Sequence, residues 1–297
     1  MARPVASCLS GGQCSPRRQR PALPLLLAAA ILVVARLTAA APPARIVSLA
    51  PSSTEIVFAL GIGDRVVGTC GQCDYPEAAR RVPSVGSYLL PSVESVLATR
   101  PDLVIAVPTP ANREAVRALE RIGARVLVVR DRLLVDLWAG IEAIGEAAGE
   151  VAAARRLEEQ VRQELADTAA CTAGLPRPRV LMVVGHRPLI VVGGDTLQHE
   201  LIGIAGGENV GADIGAAFPQ TSVEVVAARA PDVIVDAAMG SEQNGEAVFA
   251  SFRNVPAVRD GRIVRLAADE LLRTGPRVGD AARRLAEIVH PEARGCR

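Results

Sequence analysis

The sequence predicts an α/β fold in which two Rossmann-like lobes, each with a parallel sheet, are joined by a single long backbone helix. Short apolar runs alternate with helical segments in both halves of the chain, a pattern typical of parallel sheets with right-handed crossovers. Residues 92–105 and 222–235 are identical at seven of fourteen positions, so one helix–turn–strand unit occurs twice. Between the two halves, residues 134–174 show no strand pattern.

The first lobe is predicted to span residues 41–148. Apolar runs indicate strands at 45–50, 65–69, 103–107 and 124–130, and amphipathic segments indicate helices at 51–60, 92–100 and 112–123. Ser52 or Ser53 is expected to cap the first helix, and Glu55 to favour its positive end. Gly61 and Gly63 are expected to end that helix.

A backbone helix between the lobes is predicted over residues 149–174. Its apolar residues recur at spacings of three and four and form one stripe: Val151, Ala154, Leu157, Val161 and Leu165. Roughly 22 residues of helix give a rod of about 33 Å. An ordinary surface helix would show the same stripe, but the position midway between two similar halves favours a linking role.

The second lobe is predicted over residues 175–297, where the first pattern returns. Strands are indicated at 179–185, 232–238 and 261–267, and helices at 196–207 and 222–230. The two lobes are therefore expected to be structural duplicates.

Residues 1–40 are predicted to be a cleaved signal peptide. They carry five arginines and no acidic residue, and the apolar run at 21–35 is followed by small residues with a cut expected near Ala40. The alternative is an uncleaved membrane anchor, which needs about 20 apolar residues. This run has fifteen before Arg36, so the chain is expected to be exported.

The charge of the chain argues against a nucleic-acid partner. The full chain has a net charge of +1, which becomes −4 without residues 1–40. It contains no lysine and no block of basic residues, whereas binding of a phosphate backbone needs clustered positive charge.

Four cysteines follow residue 40: Cys70, Cys73, Cys171 and Cys296. An exported protein can oxidise them, and three pairings are possible. Cys70 and Cys73 have the C-x-x-C spacing of redox motifs, but they stand in a loop after a strand, so a structural role is the preferred interpretation. Two cysteines alone would be an incomplete metal site, and no metal site is predicted.

Motifs of common catalytic sites do not occur in the sequence. It contains no G-x-S-x-G, no H-E-x-x-H and no P-loop. The histidines, His186, His199 and His290, are interpreted as surface or capping residues. Ligation of a haem iron by His186 is the alternative.

Several segments resemble a known family: RIVSLAPSSTEIVFALG (45–61), DYPEAARRVPSVGSYLLPSVESVLATRPDLVIA (74–106), GGENV (206–210) and FPQTSVEVVAARAPDVIV (218–235). They resemble the periplasmic cobalamin-binding proteins of ABC importers. More broadly, they are similar to the metal-chelate receptors built on a helical backbone (class III periplasmic binding proteins), which include siderophore and haem carriers. The resemblance extends over residues 45–290.

The resemblance implies a monomeric carrier with no enzymatic activity and no cofactor of its own. Such a protein would capture cobalamin or a related corrinoid in the periplasm and deliver it to an ABC permease dimer in the inner membrane. A ferric siderophore or haem is the alternative ligand. The residues concerned are Arg273 and Arg277 for an anionic chelate, and Tyr75, Tyr88 or His186 for a haem iron. From another class, the alternative is an exported enzyme with Cys70 or Cys73 as a cleft nucleophile.

By the same resemblance, residues of both lobes contact the ligand. The implied contacts are Ser52, Ser53 and Tyr88 in the first lobe and Phe218, Asp269 and Arg273 in the second. Tyr88 and Phe218 would be apolar platforms, because a flat macrocycle gains from contact with aromatic rings; packing in the core is the alternative. Where cobalamin binders carry further aromatic residues, this chain has Gln72 and Val107.

Glu94 and Glu224 occupy matching positions in the repeated segment and are implied as permease-docking residues. In the family, one surface glutamate per lobe pairs with arginines on the two halves of the permease. A receptor with twofold symmetry needs two equivalent contacts, and carboxylate–arginine pairs give orientation as well as attraction. The alternative is that each glutamate only favours its helix dipole, a contribution of about 0.3–1 kcal/mol.

Overall fold

The computed structural model describes residues 41–238 and 245–293. These residues contain two separate sheets, one in each half of the chain, with helices around them. The predicted signal peptide lies outside the described residues, as does Cys296. Within the described ranges, the longest and most apolar helices are still too short or too polar to cross a membrane.

The first sheet contains four parallel strands: β1 (Ile46–Ser48), β2 (Val66–Thr69), β3 (Leu103–Ala106) and β4 (Val126–Val128). They lie in the order β2-β1-β3-β4. The helices of this lobe are α1 (Pro51–Ala59), α2 (Val93–Ala98), α3 (Arg113–Arg121) and α4 (Leu134–Ala148), with short 3-10 helices at Gly63–Arg65 and Glu77–Arg81. β1 and β3 are buried along their whole length, which explains their nearly continuous apolar sequences.

The start of α1 differs from the prediction. Pro51 is the first helical residue and Ala50 is the N-cap, so neither Ser52 nor Ser53 caps the helix. Proline is favoured at this position because it lacks the N–H group that a cap would satisfy. The earlier start also places Glu55 beyond the first turn of α1. The helix dipole acts mainly on charges in the first turn, so the expected stabilisation of Glu55 by the dipole is not supported.

A helix of 22 residues, α5 (Val151–Thr172), follows α4 after a turn at Gly149. Gly149 has φ 78°, the left-handed conformation that glycine adopts with the least strain. The helix length agrees with the prediction, but its buried stripe differs at both ends. Val151 is 41% exposed beside the turn, whereas Thr168 and Thr172 are buried.

The second sheet contains five strands: β5 (Arg179–His186), β6 (Leu189–Val191), β7 (Glu208–Asn209), β8 (Val233–Asp236) and β9 (Ile263–Arg265). The helices of this lobe are α6 (Leu197–Ile204), α7 (Val223–Ala228), α8 (Gly245–Phe249), α9 (Pro256–Arg259), α10 (Ala268–Leu271) and α11 (Val278–Val289), followed by a 3-10 helix at Pro291–Ala293. Four of these strands pair in parallel, as the sequence predicts, and the fifth, β6, is antiparallel to β5. Only two residues join these strands, and so short a connection allows only antiparallel pairing.

The duplication seen in the sequence is also present in the strand order. Four parallel strands of the second sheet, in the order β7-β5-β8-β9, correspond to the order β2-β1-β3-β4 of the first. An aspartate directly precedes the third strand in each order. Asp102 Oδ2, before β3, accepts a hydrogen bond from Arg45 N, and Asp232 Oδ2, before β8, accepts one from Arg179 N, both at 2.9 Å. The two lobes therefore repeat hydrogen bonds as well as strands.

One apolar cluster extends through both lobes and connects them. It includes buried residues of both sheets and of α1, α4, α5, α6 and α11, and α11 packs directly on α5. Each lobe also has a smaller cluster of its own. Residues from Pro42 onward form one compact unit, so the division into 41–148, 149–174 and 175–297 stays a prediction.

Candidate functional site

Segments that follow the strands of the two sheets meet at one boundary between the lobes, which we call the cleft. After β4, the carbonyl oxygen of Arg132 accepts a hydrogen bond from Leu197 N of the second lobe at 2.7 Å. The neighbouring carbonyl oxygen of Asp131 accepts one from the hydroxyl of Thr274, which follows α10. Ligands of α/β proteins bind outside the carboxyl ends of parallel strands, so the cleft is the candidate functional site.

Five charged side chains form an ionic cluster across the cleft: Glu55 and Asp74 of the first lobe and Asp269, Arg273 and Arg277 of the second. Arg277 donates from Nη2 and Nε to the two carboxylate oxygens of Glu55 at 2.6 and 2.9 Å. Arg273 donates to Asp74 at 2.6 Å and to Asp269 at 3.0 Å. The Glu55 side chain is only 2% exposed, so this pairing joins the lobes in a poorly hydrated place.

Two members of the ionic cluster, Asp74 and Arg273, have pKa values shifted towards their charged forms. Burial is the largest influence on the pKa of Asp74 and raises it, but the hydrogen bond and charge of Arg273 outweigh burial and lower this pKa below its usual value. Burial likewise lowers the pKa of Arg273, and the neighbouring Asp74 and Asp269 raise it overall. Asp269 and Arg273, predicted as separate ligand contacts, are thus bonded to each other.

Tyr88 lies in a short hairpin loop whose backbone is closely held. Gly86 at its base has φ 117°, and a Cβ atom there would lie 2.7 Å from the carbonyl oxygen of Leu90. Tyr88 N donates to Gln72 Oε1 at 2.8 Å, and Asn112 Nδ2 donates to the carbonyl oxygen of Tyr88 at 3.1 Å. The half-buried ring packs against the shared core, so the position of this predicted platform is well defined.

Asp131 is a cleft residue that the sequence analysis missed. Burial raises the pKa of its carboxyl group, and the hydroxyl of Ser52 donates to its Oδ2 at 3.2 Å. Burial, together with the negative charge of Asp131, raises the pKa of Tyr88 to about 12. The only available signal was position, because Asp131 follows β4 at the edge of the sheet where ligands bind.

The raised pKa of Tyr88 can be measured directly, because the chain has only two tyrosines. In a Tyr75→Phe variant, ultraviolet absorbance should show a single phenol that ionises near pH 12, not near 10. The pKa of Tyr88 is about 12 in the folded protein and 10.0 without the fold, so folding favours the protonated phenol. The resulting contribution to stability is present below pH 10 and is lost as the pH rises towards 12.

Adding Asp131→Asn should move the absorbance midpoint down, because a negative charge beside the phenolate is removed. Circular dichroism at each pH shows whether the protein is still folded. A midpoint near 10 in folded protein would contradict the assigned environment of Tyr88.

The two predicted serine contacts have different surroundings. Ser52 is 4% exposed and bonded to Asp131, so it lies at the floor of the cleft. Ser53 is 0% exposed, and its hydroxyl is bonded to the carbonyl oxygen of Ala50 and to Ser48 Oγ. A fully buried hydroxyl has no surface for a ligand, so the expectation for Ser53 is corrected.

Phe218 is an exposed aromatic ring on a fixed segment of backbone. Its side chain is 47% exposed. On either side of it, the carbonyl oxygens of Ala217 and Pro219 accept hydrogen bonds from Gly193 N and Val191 N at 2.9 and 3.1 Å. Core packing therefore does not explain this ring, which is available to a ligand.

Two residues considered for haem iron are already engaged. His186 Nε2 lies 2.9 Å from Asp236 Oδ1, and both side chains are 2% exposed, so the imidazole of His186 is buried and already bonded. The guanidinium carbon of Arg277 lies 4.0 Å from the centroid of the Tyr75 ring and covers one face of it.

Cys70 and Cys73 are bonded to each other in a disulfide. A sulfur atom in a disulfide is not a thiolate nucleophile, so the structure does not present the cleft cysteine of the enzyme alternative. Among the residues that the structure describes, no cluster of three or more histidine, cysteine or acidic side chains is arranged to hold a metal ion.

Glu94 and Glu224 have the same local structure in the two lobes. Each lies in the first turn of a six-residue helix whose N-cap is a serine, Ser92 for α2 and Ser222 for α7. The hydroxyl of Ser92 donates to Glu94 Oε2 at 3.3 Å, and a hydrogen bond from Ser222 lowers the pKa of Glu224. Both carboxylates are exposed.

Comparison with known sequences places these features among carriers. The model of the family described as periplasmic binding protein matches residues 46–270. The vitamin B12-binding protein of Vibrio parahaemolyticus is 30% identical over 241 residues, which cover 81% of this chain and 87% of that protein. That of Yersinia pestis (strain Pestoides F) is 31% identical over 265 residues, with coverage of 89% and 93%.

Solved structures with the same fold include carriers of two ligand types. The periplasmic haem-binding protein RhuT from Roseiflexus sp. RS-1, in apo form, has a TM-score of 0.76 and 32% identity, covering 84% of this chain and 99% of that one. The periplasmic vitamin B12-binding protein BtuF of Vibrio cholerae has a TM-score of 0.74 and 26% identity, with coverage of 86% and 99%.

Proposed function

Because this chain belongs to the periplasmic binding protein family, we propose that it captures cobalamin or a related corrinoid between its lobes and delivers it to an ABC permease. In this proposal the protein is exported to the periplasm, acts as a monomer, and binds its ligand without chemistry or a cofactor. Relatives named as vitamin B12-binding proteins support the ligand class. The relatives also include haem carriers, so the choice of ligand rests on the cleft itself.

The charge of the cleft is the observation that carries the choice of a corrinoid. The cleft side chains described above include four carboxyl groups and two arginines: Glu55, Asp74, Asp131, Asp269, Arg273 and Arg277. Both arginines are already bonded to carboxylates. A polyanionic ferric siderophore would have to displace these partners, at a cost in electrostatic energy. A corrinoid presents neutral amide groups instead, which donate to carboxylates without that competition.

Haem is disfavoured by the state of two of the three possible iron ligands, Tyr88 and His186. Tyrosine binds haem iron as the phenolate, and burial and Asp131 hold Tyr88 protonated, with a pKa of about 12. The Nε2 atom of His186 is bonded to Asp236. In cobalamin the ligand itself supplies the axial groups of the metal, so binding does not require Tyr88 or His186 as a metal ligand.

A binding titration tests the proposed function. The purified protein is titrated separately with cyanocobalamin, haemin and a ferric siderophore, and equilibrium dialysis gives each Kd. Tight binding of cyanocobalamin with weak binding of the other two is expected. Preferential binding of haemin or of the siderophore would overturn the choice of ligand while leaving the carrier role intact.

Removing either aromatic platform should weaken ligand binding. Tyr88→Ala and Phe218→Ala are each expected to cost about 1–3 kcal/mol, which is about 5- to 150-fold in Kd, because each ring loses apolar contact with the macrocycle. Tyr88→Phe and Phe218→Tyr keep a ring and should bind nearly as the parent does. If both alanine variants retain the parent affinity, these rings belong to the protein surface and not to the binding site.

We also propose that Glu94 and Glu224 dock this carrier onto the two halves of its permease. Two features support this: the carboxylates are exposed at matching positions of duplicated lobes, and each is held by the serine that caps its helix. A helix dipole favours an acidic residue in a first turn, but it does not require the same exposed residue in both copies.

A further inference from the structure

The turn formed by residues 70–73 is closed by several bonds at once. The disulfide joins Cys70 and Cys73, whose Cα atoms are 5.1 Å apart. Cys73 N donates to the carbonyl oxygen of Cys70 at 2.9 Å, and Cys70 N donates to Cys73 Sγ at 3.2 Å. Both cysteines are almost fully buried, so the two residues between them are presented at the surface on a covalently closed base.

Those two residues contact both sides of the cleft. Gly71 N donates to the carbonyl oxygen of Gly86, at the base of the hairpin that carries Tyr88, at 2.9 Å. The side-chain oxygen of Gln72, Oε1, accepts a hydrogen bond from Tyr88 N at 2.8 Å. The backbone carbonyl oxygen of Gln72 accepts one from Arg273 Nη2 of the second lobe at 3.4 Å. The closed turn thus lies between the proposed aromatic platform and the ionic cluster.

We propose that Gln72 is a specificity-determining contact of the cleft and that the Cys70–Cys73 disulfide positions it. The inference rests on the proposed function. Tyr88 N occupies Gln72 Oε1 and thereby orients the amide group, whose Nε2 carries two N–H donors. The exposed side chain therefore suits a neutral acceptor on the ligand, such as a carboxamide oxygen of a corrinoid.

The disulfide matters because ordering a glutamine side chain and its turn has an entropic cost. Because the disulfide orders the turn before the ligand binds, the ordering does not reduce the free energy of binding. Without the disulfide, the turn would lose its covalent closure and would depend on hydrogen bonds such as that from Cys73 N to the Cys70 carbonyl oxygen. An exported protein can keep such a disulfide oxidised.

A double-mutant cycle tests the inference with cyanocobalamin as the probe. Gln72→Ala and the double variant Cys70→Ser/Cys73→Ser should each raise the Kd about two- to tenfold. In the combined variant the effects should not multiply, because the disulfide acts through Gln72. Unchanged Kd values, or effects that multiply, would show that the disulfide serves the fold and not the contact.

Amide hydrogen exchange of the segment that contains Tyr88 N is a second measurement, and it needs no ligand. Exchange should accelerate in the cysteine variant, because the acceptor Gln72 Oε1 is no longer held. If exchange accelerates but the parent binds no cyanocobalamin, the proposed function fails and the positioning role stands. If cyanocobalamin binds and neither Kd nor exchange changes in the variant, the inference alone fails.

Reduction of the parent protein with dithiothreitol provides the same comparison should the serine variant not fold. Because Cys171 is also disulfide-bonded, the control is a Cys171→Ser variant treated with the same reductant. A reductant effect that disappears in Cys171→Ser would assign the change to Cys171 and contradict the role given to Cys70 and Cys73.

Discussion

Replacing Glu55 with alanine is expected to lower the free energy of unfolding by about 3–5 kcal/mol. The Glu55 side chain is 2% exposed and accepts hydrogen bonds at 2.6 and 2.9 Å from Arg277, whose side chain is 22% exposed. The alanine variant would leave that guanidinium group poorly hydrated and without this carboxylate, which is why the cost is large. Urea unfolding followed by circular dichroism measures the loss.

An ion pair that is more exposed than Glu55–Arg277 provides the control. Glu150 is bonded to Arg65 at 2.8 Å, but the two side chains are 31% and 27% exposed. Glu150→Ala should therefore cost only about 0–1 kcal/mol. Equal losses in the Glu55 and Glu150 variants would mean that burial does not distinguish the two pairs, and the structural role of the ionic cluster would have to be given up.

Reversing the charge of both docking residues should stop ligand uptake while ligand binding continues. In the proposed docking, Glu94→Arg with Glu224→Arg would replace two attractive contacts with permease arginines by two repulsive ones, and like charges at an interface cost several kcal/mol. Uptake of cyanocobalamin by vesicles that contain the reconstituted permease is expected to fall by about 100-fold or more. The Kd for free cyanocobalamin should match that of the parent, because neither glutamate belongs to the cleft.

A control with the same change in net charge isolates the effect of position. Glu120 on α3 and Glu159 on α5 are exposed glutamates, and the variant Glu120→Arg with Glu159→Arg should support uptake at the parent rate. Each single variant, Glu94→Arg or Glu224→Arg, should be intermediate, because one docking contact remains. Normal uptake by the double docking variant would refute the docking role.

The secondary structure was largely predictable because it follows from local patterns. The 22-residue helix α5 came from one apolar stripe, and the strands β3 and β8 from short apolar runs after Pro-Asp. The repeated segment at a shift of 130 residues predicted duplicated lobes, and both copies begin with a capping serine followed by an exposed glutamate. Periodicity and caps are encoded within a few residues, so the sequence displays them directly.

The cleft was predictable only in part. Tyr88 and Phe218 were placed by resemblance, and the structure leaves the first half-buried and the second exposed. The burial of Ser53 was not predictable, because the helix starts at Pro51, two residues earlier than it would with Ser52 as its cap. His186 was misjudged because its partner Asp236 lies 50 residues away on an adjacent strand.

The sequence by itself determined the alternating elements, the duplication, the long helix and the two exposed glutamates, since each depends on neighbours along the chain. Only the tertiary structure decided the pairing of Glu55 with Arg277, which are 222 residues apart, the disulfide partner of Cys70, and the charge balance of the cleft. The Glu55–Arg277 pair and the charge balance of the cleft depend on how the two lobes pack against each other, whereas the disulfide was one of three pairings left open by the sequence. Packing brings together residues whose sequence separation carries no local signal, and burial then sets the strength of their interaction.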